Sequence, residues 1–254
     1  MIRNSFVFLD KIGLTKEKLI WQSGVRHWDD FLRAGSVSGI GKARKFYYNM
    51  QVRNAEKELE KDNSCFFADR MPKSEMWRLY ETFKDDALFL DIETTEHYGD
   101  ITVIGMYDGK ESNFMVRGFN LDKDKFYAYL EQFKLIITYN GLSFDQPVIE
   151  RYFGKKFTKI PHLDLRHACA RIGLVGGLKT VERTLGIDRD EEVANVMGSD
   201  AIYLWSMWKA TGKREYLDRL IRYNEYDIVN LKPIAEHVCS ELSQTLNALS
   251  PQHL

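Results

Sequence analysis

Four carboxylates follow or interrupt apolar segments of this chain, and this arrangement constrains the fold more than any other sequence feature. A carboxylate that is removed from water costs free energy unless it is paired or binds a metal ion. Carboxylate oxygens are hard ligands, which suit Mg²⁺ or Mn²⁺. The segments are therefore predicted to meet around divalent cations. The four carboxylates are Asp91, Glu93, Asp145 and Asp227.

The first two carboxylates continue a predicted strand. Residues 87–90 are a short apolar run without polar alternation, typical of a strand that is buried on both faces. Asp91 and Glu93 are two residues apart, so both side chains point to one face of the strand, and Ile92 points to the other. Two adjacent carboxylates repel each other, and a divalent cation removes that repulsion. The alternative is a strand end that carries two solvated acids.

The third carboxylate follows a second predicted strand, residues 135–139, which an Asn-Gly pair ends in a tight turn. Ser143 is predicted to cap a helix over residues 144–152. Asp145 then lies in the first turn of that helix, where the helix dipole favours a negative charge. Asp145 is therefore either a metal ligand or a support for the start of the helix.

The fourth carboxylate lies in a predicted helix over residues 216–238, whose apolar residues recur at helical spacing. Tyr223 precedes Asp227 by four residues, so the two side chains share one face. A tyrosine hydroxyl one turn before the acid can lie beside whatever the acid binds. The alternative is a core tyrosine next to a solvated aspartate.

Taken in this order, the segments resemble the three motifs of the DEDD 3′–5′ exonucleases of the ribonuclease H-like superfamily. Residues 91–95 resemble the first motif, residues 140–145 the second, and residues 223–227 the third motif of the tyrosine (DEDDy) subgroup. The histidine subgroup would need a His where Arg222 stands. The resemblance covers about residues 86–240. It is closest to predicted exonucleases that carry a small helical region before this domain.

The resemblance implies a two-metal phosphodiesterase site that holds two Mg²⁺ or Mn²⁺ ions. Asp91 would bridge the ions, and Glu93 and Asp227 would complete one of the two sites. Asp145 would hold the other ion, mostly through water. Tyr223 would orient the attacking water, because a tyrosine pKa near ~10 is too high for a base at neutral pH. The substrate contacts implied in the same domain are Ile92, Thr94, Asn140, Phe144 and Lys179.

The expected fold class is α/β: a ribonuclease H-like mixed sheet flanked by helices and preceded by a small all-helical N-terminal region. Residues 101–107 and 112–118 are predicted strands, joined by an Asp-Gly turn signal. A helix over 121–133 and a short strand over 163–165 fit the same architecture. The last third of the chain is predicted to be helical.

Residues 1–70 are predicted to form the helical region, and residues 71–254 the exonuclease domain. Gly39-Ile40-Gly41 opens a predicted helix in the manner of a helix–hairpin–helix motif, whose backbone N–H groups bind phosphate. Residues 1–84 hold 16 Lys and Arg against 11 Asp and Glu, which favours a polyanionic partner. The alternative is a helical cap that packs on the catalytic domain. The predicted phosphate contacts are Gly39, Gly41, Lys42, Arg44 and Lys45.

Composition favours a cytoplasmic enzyme without a membrane partner. The chain has 254 residues and is 44% hydrophobic, which suffices for a large core plus a small appended region. No segment approaches the ~20 apolar residues of a membrane helix, and the N-terminus lacks a signal pattern. The three scattered cysteines predict a reducing compartment rather than a disulfide framework.

The expected activity is hydrolysis of single-stranded nucleic acid from its 3′ end. DNA is favoured over RNA as the substrate, with a role in DNA repair, although no residue pattern here reads a 2′-hydroxyl. Two alternatives stay open because a fold alone does not establish an activity. One is a catalytically silent nucleic-acid-binding or scaffold protein, and the other is a structure-selective endonuclease on the same fold.

Overall fold

A mixed five-stranded sheet lies at the centre of the fold, as the sequence predicts. The computed structural model describes residues 1–97, 99–190, 193 and 198–248. The strand order is β3-β2-β1-β4-β5; β1 pairs antiparallel with β2 and parallel with β4. β3 is antiparallel to β2, and β5 is parallel to β4. The strands are β1 Ala87–Thr94, β2 Ile101–Tyr107, β3 Ser112–Val116, β4 Leu135–Thr138 and β5 His162–Asp164.

Helices precede, interrupt and follow the sheet, which confirms the predicted fold class. Those before the sheet are α1 Leu14–Gln22, α2 Trp28–Arg33, α3 Lys42–Glu60, α4 Cys65–Ala68 and α5 Tyr80–Phe83. Between strands lie α6 Lys123–Leu130 and α7 Asp145–Phe153. After the sheet follow α8 Leu165–Arg171, α9 Leu178–Leu185, α10 Gly198–Thr211, α11 Arg214–Val229 and α12 Leu231–Ala248. None of the helices in the described part of the chain combines the length and apolar character that crossing a bilayer requires.

The helix predicted over residues 216–238 is two helices, and the prediction of one continuous helix is wrong. α11 ends at Val229 and α12 begins at Leu231. Pro233 explains the break, because a proline ring clashes with the carbonyl four residues earlier, which is that of Val229. Asn230 at the break turns its side chain to Glu182, with its Nδ2 donating to Oε1 at 2.9 Å.

The predicted start of α7 also needs correction. Phe144 is the N-cap residue, and no side chain caps the helix, so Ser143 does not have the capping role predicted for it. The preceding turn is instead closed by its backbone: the N–H groups of Ser143 and Phe144 both donate to the Asn140 carbonyl, each at 3.1 Å. Asn140 adopts the left-handed conformation expected of this turn, with φ of +68°.

Alternation along β1 explains why its two acids share a face. Leu88 and Leu90 belong to the hydrophobic cluster that includes residues of α6 and α7. Phe89 belongs to the cluster on the other face. Asp91 and Glu93 continue the Phe89 face, where α11 lies against β1 and β2. The strand therefore presents both carboxylates to α11.

The N-terminal helical region packs into the same hydrophobic cluster as the sheet, since Phe6 and Trp28 share a cluster with Phe89. Arg78 is fully buried and forms salt bridges with Glu17 of α1 at 2.9 Å and with Glu75 at 2.7 Å. Glu75 also accepts from Arg171 of α8 at 3.0 Å. These contacts connect the first helix to the helices beside the sheet. The division into residues 1–70 and 71–254 stays a prediction.

A buried histidine makes the stability of the fold sensitive to acid. The Nε2 of His162 lies 2.8 Å from the Thr138 Oγ1, and burial lowers the pKa of His162 from 6.5 to about 3. Below pH 6.5 the unfolded chain gains a proton that the folded chain does not. We therefore expect the contribution of His162 to the free energy of unfolding to fall by up to about 1.4 kcal/mol per pH unit as pH drops from 6.5 toward 3.

Urea unfolding of the parent and of the His162→Gln variant at pH 7, 6 and 5 measures this effect. The variant has no group at this position that titrates in that range, so the free energy of unfolding of the parent should fall relative to that of the variant as pH drops. Parallel pH profiles of the two proteins would show that His162 does not contribute.

Candidate metal centre

Three carboxylates from two elements converge at one point of the structure. Asp91 and Glu93 extend from β1, and Asp227 extends from α11. One oxygen of each carboxylate lies within 4.8 Å of the others. Glu93 and Asp227 are only 9% and 7% exposed. The structure thus brings together three of the four acids that the sequence singles out.

The electrostatics of this group fit a divalent cation. Burial raises the pKa of Asp91 and of Glu93 well above the ordinary carboxyl value, and the neighbouring carboxylates raise both further. Such a group resists ionisation unless a positive charge compensates it. Its donors are oxygens alone, the ligand type that Mg²⁺ and Mn²⁺ take. The cluster therefore fits a site for a hard divalent cation.

Asp145 lies beside the three-carboxylate group, and its side chain supports β1. It occupies the first turn of α7 and is 3% exposed. Its Oδ1 accepts a hydrogen bond from the Ile92 N–H at 3.1 Å. Burial raises the pKa of Asp145 to about 7. A role of Asp145 as a metal ligand stays a prediction.

Tyr223 lies one turn before Asp227 on α11, as the spacing predicts. It is 7% exposed and lines the same cleft as Asp227. Burial, followed by the charge of Asp227, raises the pKa of Tyr223 well above its usual value of 10. The phenol is therefore protonated at neutral pH and acts as a hydrogen-bond donor.

Asn224 contacts the acidic group, although sequence reasoning did not single it out. Its side chain is fully buried, and its Nδ2 donates to the Asp91 Oδ2 at 2.8 Å. Burial and the charge of Asp227 raise the pKa of Glu93, and the nearby amide of Asn224 opposes them. Its Oδ1 is buried without a hydrogen-bond partner in the described structure. The amide thus lies against the carboxylate of Asp91.

Gly105 makes room for that amide. It lies in β2 directly opposite Asp91, and a Cβ at this position would come within 1.9 Å of the Asn224 Oδ1. A glycine inside the strand costs stability, so its presence among apolar neighbours is a sequence signal of close approach. In this structure the approaching group is the amide of Asn224.

Arg189 is a second contact that the sequence did not indicate. Its Nη2 donates to the Asp227 Oδ1 at 2.5 Å and to Glu182 at 2.6 Å, and its Nε donates to the other oxygen of Glu182 at 2.8 Å. The guanidinium is 4% exposed. Asp227 therefore has a buried cationic partner. Arg189 follows α9 in a polar stretch where no local pattern marks it.

A cleft of about 450 Å³ opens over the acidic group. Three of the predicted substrate contacts line this cleft: Ile92, Thr94 and Phe144. His97, which no sequence pattern marks, also lines it and stacks on Phe144, with ring centroids 5.7 Å apart and planes 19° apart. The Lys179 Nζ lies 5.1 Å from the centre of the Tyr223 ring.

Asn140 is directed elsewhere, although the sequence predicts it in the substrate pocket. Its Oδ1 accepts a hydrogen bond from Arg166 Nη1 at 2.7 Å, and its N–H donates to Asp164 at 2.8 Å. Asn140 is not among the described residues that line the cleft. Its side chain and left-handed backbone shape the turn before α7.

The N-terminal turn forms as predicted, but one of its lysines is unavailable to a phosphate. Gly39 has φ of +74°, and α3 begins directly after Gly41. Lys42 and Arg44 are exposed. Lys45 is 5% exposed, and its Nζ donates to the Phe31 carbonyl at 2.7 Å and to Asn49 at 2.6 Å. Lys45 therefore holds α3 against α2, which corrects its predicted role as a phosphate contact.

The fold and the acidic group define a ribonuclease H-like, metal-dependent nuclease domain. A family model described as the RNase_H superfamily matches residues 88–239, from β1 into α12 and including all four predicted carboxylates. The chain belongs to this superfamily. Searches against curated proteins and against solved structures give no match. Membership indicates a nuclease that acts on nucleic acid with the help of divalent metal ions.

Proposed function

We propose that this protein is a DEDDy-type 3′–5′ exonuclease that uses two divalent ions to hydrolyse single-stranded nucleic acid, DNA in preference to RNA. The observation that carries the proposal is the group of Asp91, Glu93 and Asp227, with Tyr223 one helical turn before Asp227 and lining the same cleft. Asp145 adjoins the group through Ile92. These are the five residues that the resemblance assigns to catalysis.

The residues of the cleft divide the work of such a reaction. Mg²⁺ or Mn²⁺ would be held by Asp91, Glu93 and Asp227, with Asp145 beside them. The bound ions would supply an activated water and would stabilise negative charge at the phosphate. Tyr223, which stays protonated, orients the attacking water rather than deprotonating it.

The substrate end is proposed to lie against the stacked pair of His97 and Phe144. Aromatic rings stack on bases with little sequence preference, and this pair lines the cleft over the acids. Ile92, Thr94 and Lys179 complete the proposed contacts to the terminal nucleotide. Lys42 and Arg44, at the turn of Gly39 and Gly41, stay proposed contacts to more distant phosphates.

The experiment that tests the proposal is digestion of 5′-labelled single-stranded DNA and RNA of equal sequence by the purified protein with Mn²⁺. We expect a ladder that shortens from the 3′ end, faster with DNA, and no digestion when the 3′ end is blocked. Cleavage of the blocked strand would favour the endonuclease. Binding of the strand without any cleavage would favour the silent scaffold.

Tyr223→Phe tests the role of the phenol, because it keeps the ring and removes the hydroxyl. We expect the cleavage rate to fall by roughly 10²-fold or less, the range for one positioned proton-handling group. Calorimetric titration with Mn²⁺ should give nearly the parental affinity. A variant that loses metal affinity instead would show that the hydroxyl acts by supporting Asp227.

A further inference from the structure

A lysine-rich groove of about 710 Å³ lies between the N-terminal helices and the sheet domain; we call it the basic groove. It is formed by residues 61–64 after α3, the start of α4, part of α6, and the segments that precede β4 and β5. Asp62 and Glu131 are the acidic residues that line it. Its lysines are Lys61, Lys134, Lys155, Lys156 and Lys159.

Three of these lysines have no carboxylate partner among the described residues: Lys134, Lys155 and Lys159. Lys61 forms a salt bridge with Glu58 at 2.9 Å, and Lys156 lies 3.8 Å from Glu150. The Lys155 Nζ instead lies 4.0 Å from the centre of the Tyr127 ring. Cations that converge in one groove repel each other, and a polyanion relieves that repulsion. The charge of the groove therefore matches a chain of phosphates.

Two elements connect the basic groove with the acidic cleft. β4 begins directly after Lys134, and α7 runs from Asp145 at the cleft to Phe153, two residues before Lys155. Nine helical residues span about 13 Å. A stacked strand advances about 3.4 Å per nucleotide. For a strand that stays stacked, the groove is therefore about four nucleotides from a strand end that occupies the cleft.

We propose that the basic groove binds the sugar–phosphate backbone of the substrate several nucleotides from the end in the cleft. This inference rests on the proposed function, because the strand must reach from the acids to the groove. A nucleic acid fits better than another anion, since the chain belongs to a superfamily of nucleases and only an extended polyanion occupies both places. Substrate length then determines whether the groove contributes to binding.

The test replaces Lys134, Lys155 and Lys159 together with glutamine. A matched control replaces Lys18, Lys110 and Lys213, which are exposed and lie outside the groove, and so removes the same charge. Binding of a 20-nucleotide single-stranded DNA is measured against salt concentration in EDTA, which does not require cleavage. The slope of log affinity against log salt should become shallower by about 2 in the groove variant, at about 0.7 per lost phosphate contact.

Kinetics with Mn²⁺ separate the groove from the cleft. For the groove variant, KM for the 20-nucleotide strand should rise about tenfold or more at 0.15 M salt. Cleavage of a dinucleotide, which cannot reach the groove, should keep the parental kcat/KM. The control variant should match the parent with both substrates.

The outcomes that would overturn the proposal are distinct from a failure of the proposed function. The groove proposal is overturned if the groove variant keeps the parental salt slope. It is also overturned if the variant loses kcat/KM equally on long and short substrates. A parent that binds vesicles of phosphatidylserine and not the DNA overturns it as well. If the parent binds the DNA through these lysines but cleaves nothing, the groove proposal is supported and the proposed exonuclease activity is contradicted.

Discussion

The Asp91→Asn variant should lose cleavage of every substrate, with kcat/KM lower than that of the parent by about 10³-fold or more. One oxygen of Asp91 lies within 4.8 Å of oxygens of Glu93 and Asp227, and its carboxylate accepts a hydrogen bond from the amide of Asn224. A neutral amide keeps the shape of the side chain but lacks the charge that would hold the ions. Bound ions stabilise the transition state by several kcal/mol, and this stabilisation would be lost. Affinity for Mn²⁺ should fall together with activity.

The fold of this variant should survive, and this separates loss of the site from loss of the protein. Burial and neighbouring carboxylates oppose ionisation of Asp91 in the folded chain, so removal of its charge relieves repulsion. In EDTA, the melting temperature of the variant should equal or exceed that of the parent. Asp218→Asn is the matched control, because Asp218 is an exposed aspartate of α11 outside the cleft and pairs with Arg214 at 2.8 Å. Parental activity of Asp91→Asn would exclude the proposed site.

Local patterns in the sequence sufficed for the fold and for the acids. The five strands follow from apolar runs bounded by turn residues, and the spacing of Asp91 and Glu93 alone determines that they share a face. The match of Tyr223 and Asp227 to one helical face holds for the same reason. These properties depend on residues close together in the chain, so they can be read before the fold is known.

The supporting contacts could not be predicted, because each depends on elements that are distant in sequence. The reason for a glycine at position 105 becomes clear only in the folded structure, where Gly105 lies opposite Asp91 and the side chain of Asn224 lies close to it. Arg189 reaches Asp227 across 38 positions of the chain. Lys45 is different: its spacing from Tyr48 puts it on the buried face of α3, so the helical period already argued against an exposed charge.

The amide of Asn224 should prove nearly as important to the site as a ligand. Asn224→Leu keeps a similar volume and removes the donor to Asp91, so the orientation of that carboxylate is lost. Groups that orient metal ligands typically contribute 10- to 100-fold in metal affinity or activity. We expect a loss of about that size in Mn²⁺ affinity, in kcat, or in both, measured by calorimetry and by digestion of labelled DNA. If the Asn224→Leu variant keeps the parental activity and the parental affinity for Mn²⁺, Asp91 needs no orienting partner.

Gly105→Ala should damage the same contact from the other side. Its Cβ would come within 1.9 Å of the Asn224 Oδ1, so the strand or the amide must move, at a cost of about 1–3 kcal/mol in the free energy of unfolding. Gly35→Ala is the control, because a Cβ there meets no atom within 4 Å.

Combining Gly105→Ala with Asn224→Ala removes the clashing amide and separates the two effects. The stability cost of the alanine at position 105 should shrink in this background, with a coupling of about 0.5 kcal/mol or more between the two changes. Activity should stay low, because no amide remains to orient Asp91. Strictly additive losses in stability, measured by urea unfolding of all four proteins, would mean that Gly105 is required for a reason other than Asn224. Recovery of activity in the double variant would mean that the clash, and not the lost hydrogen bond, inactivates the Gly105→Ala protein.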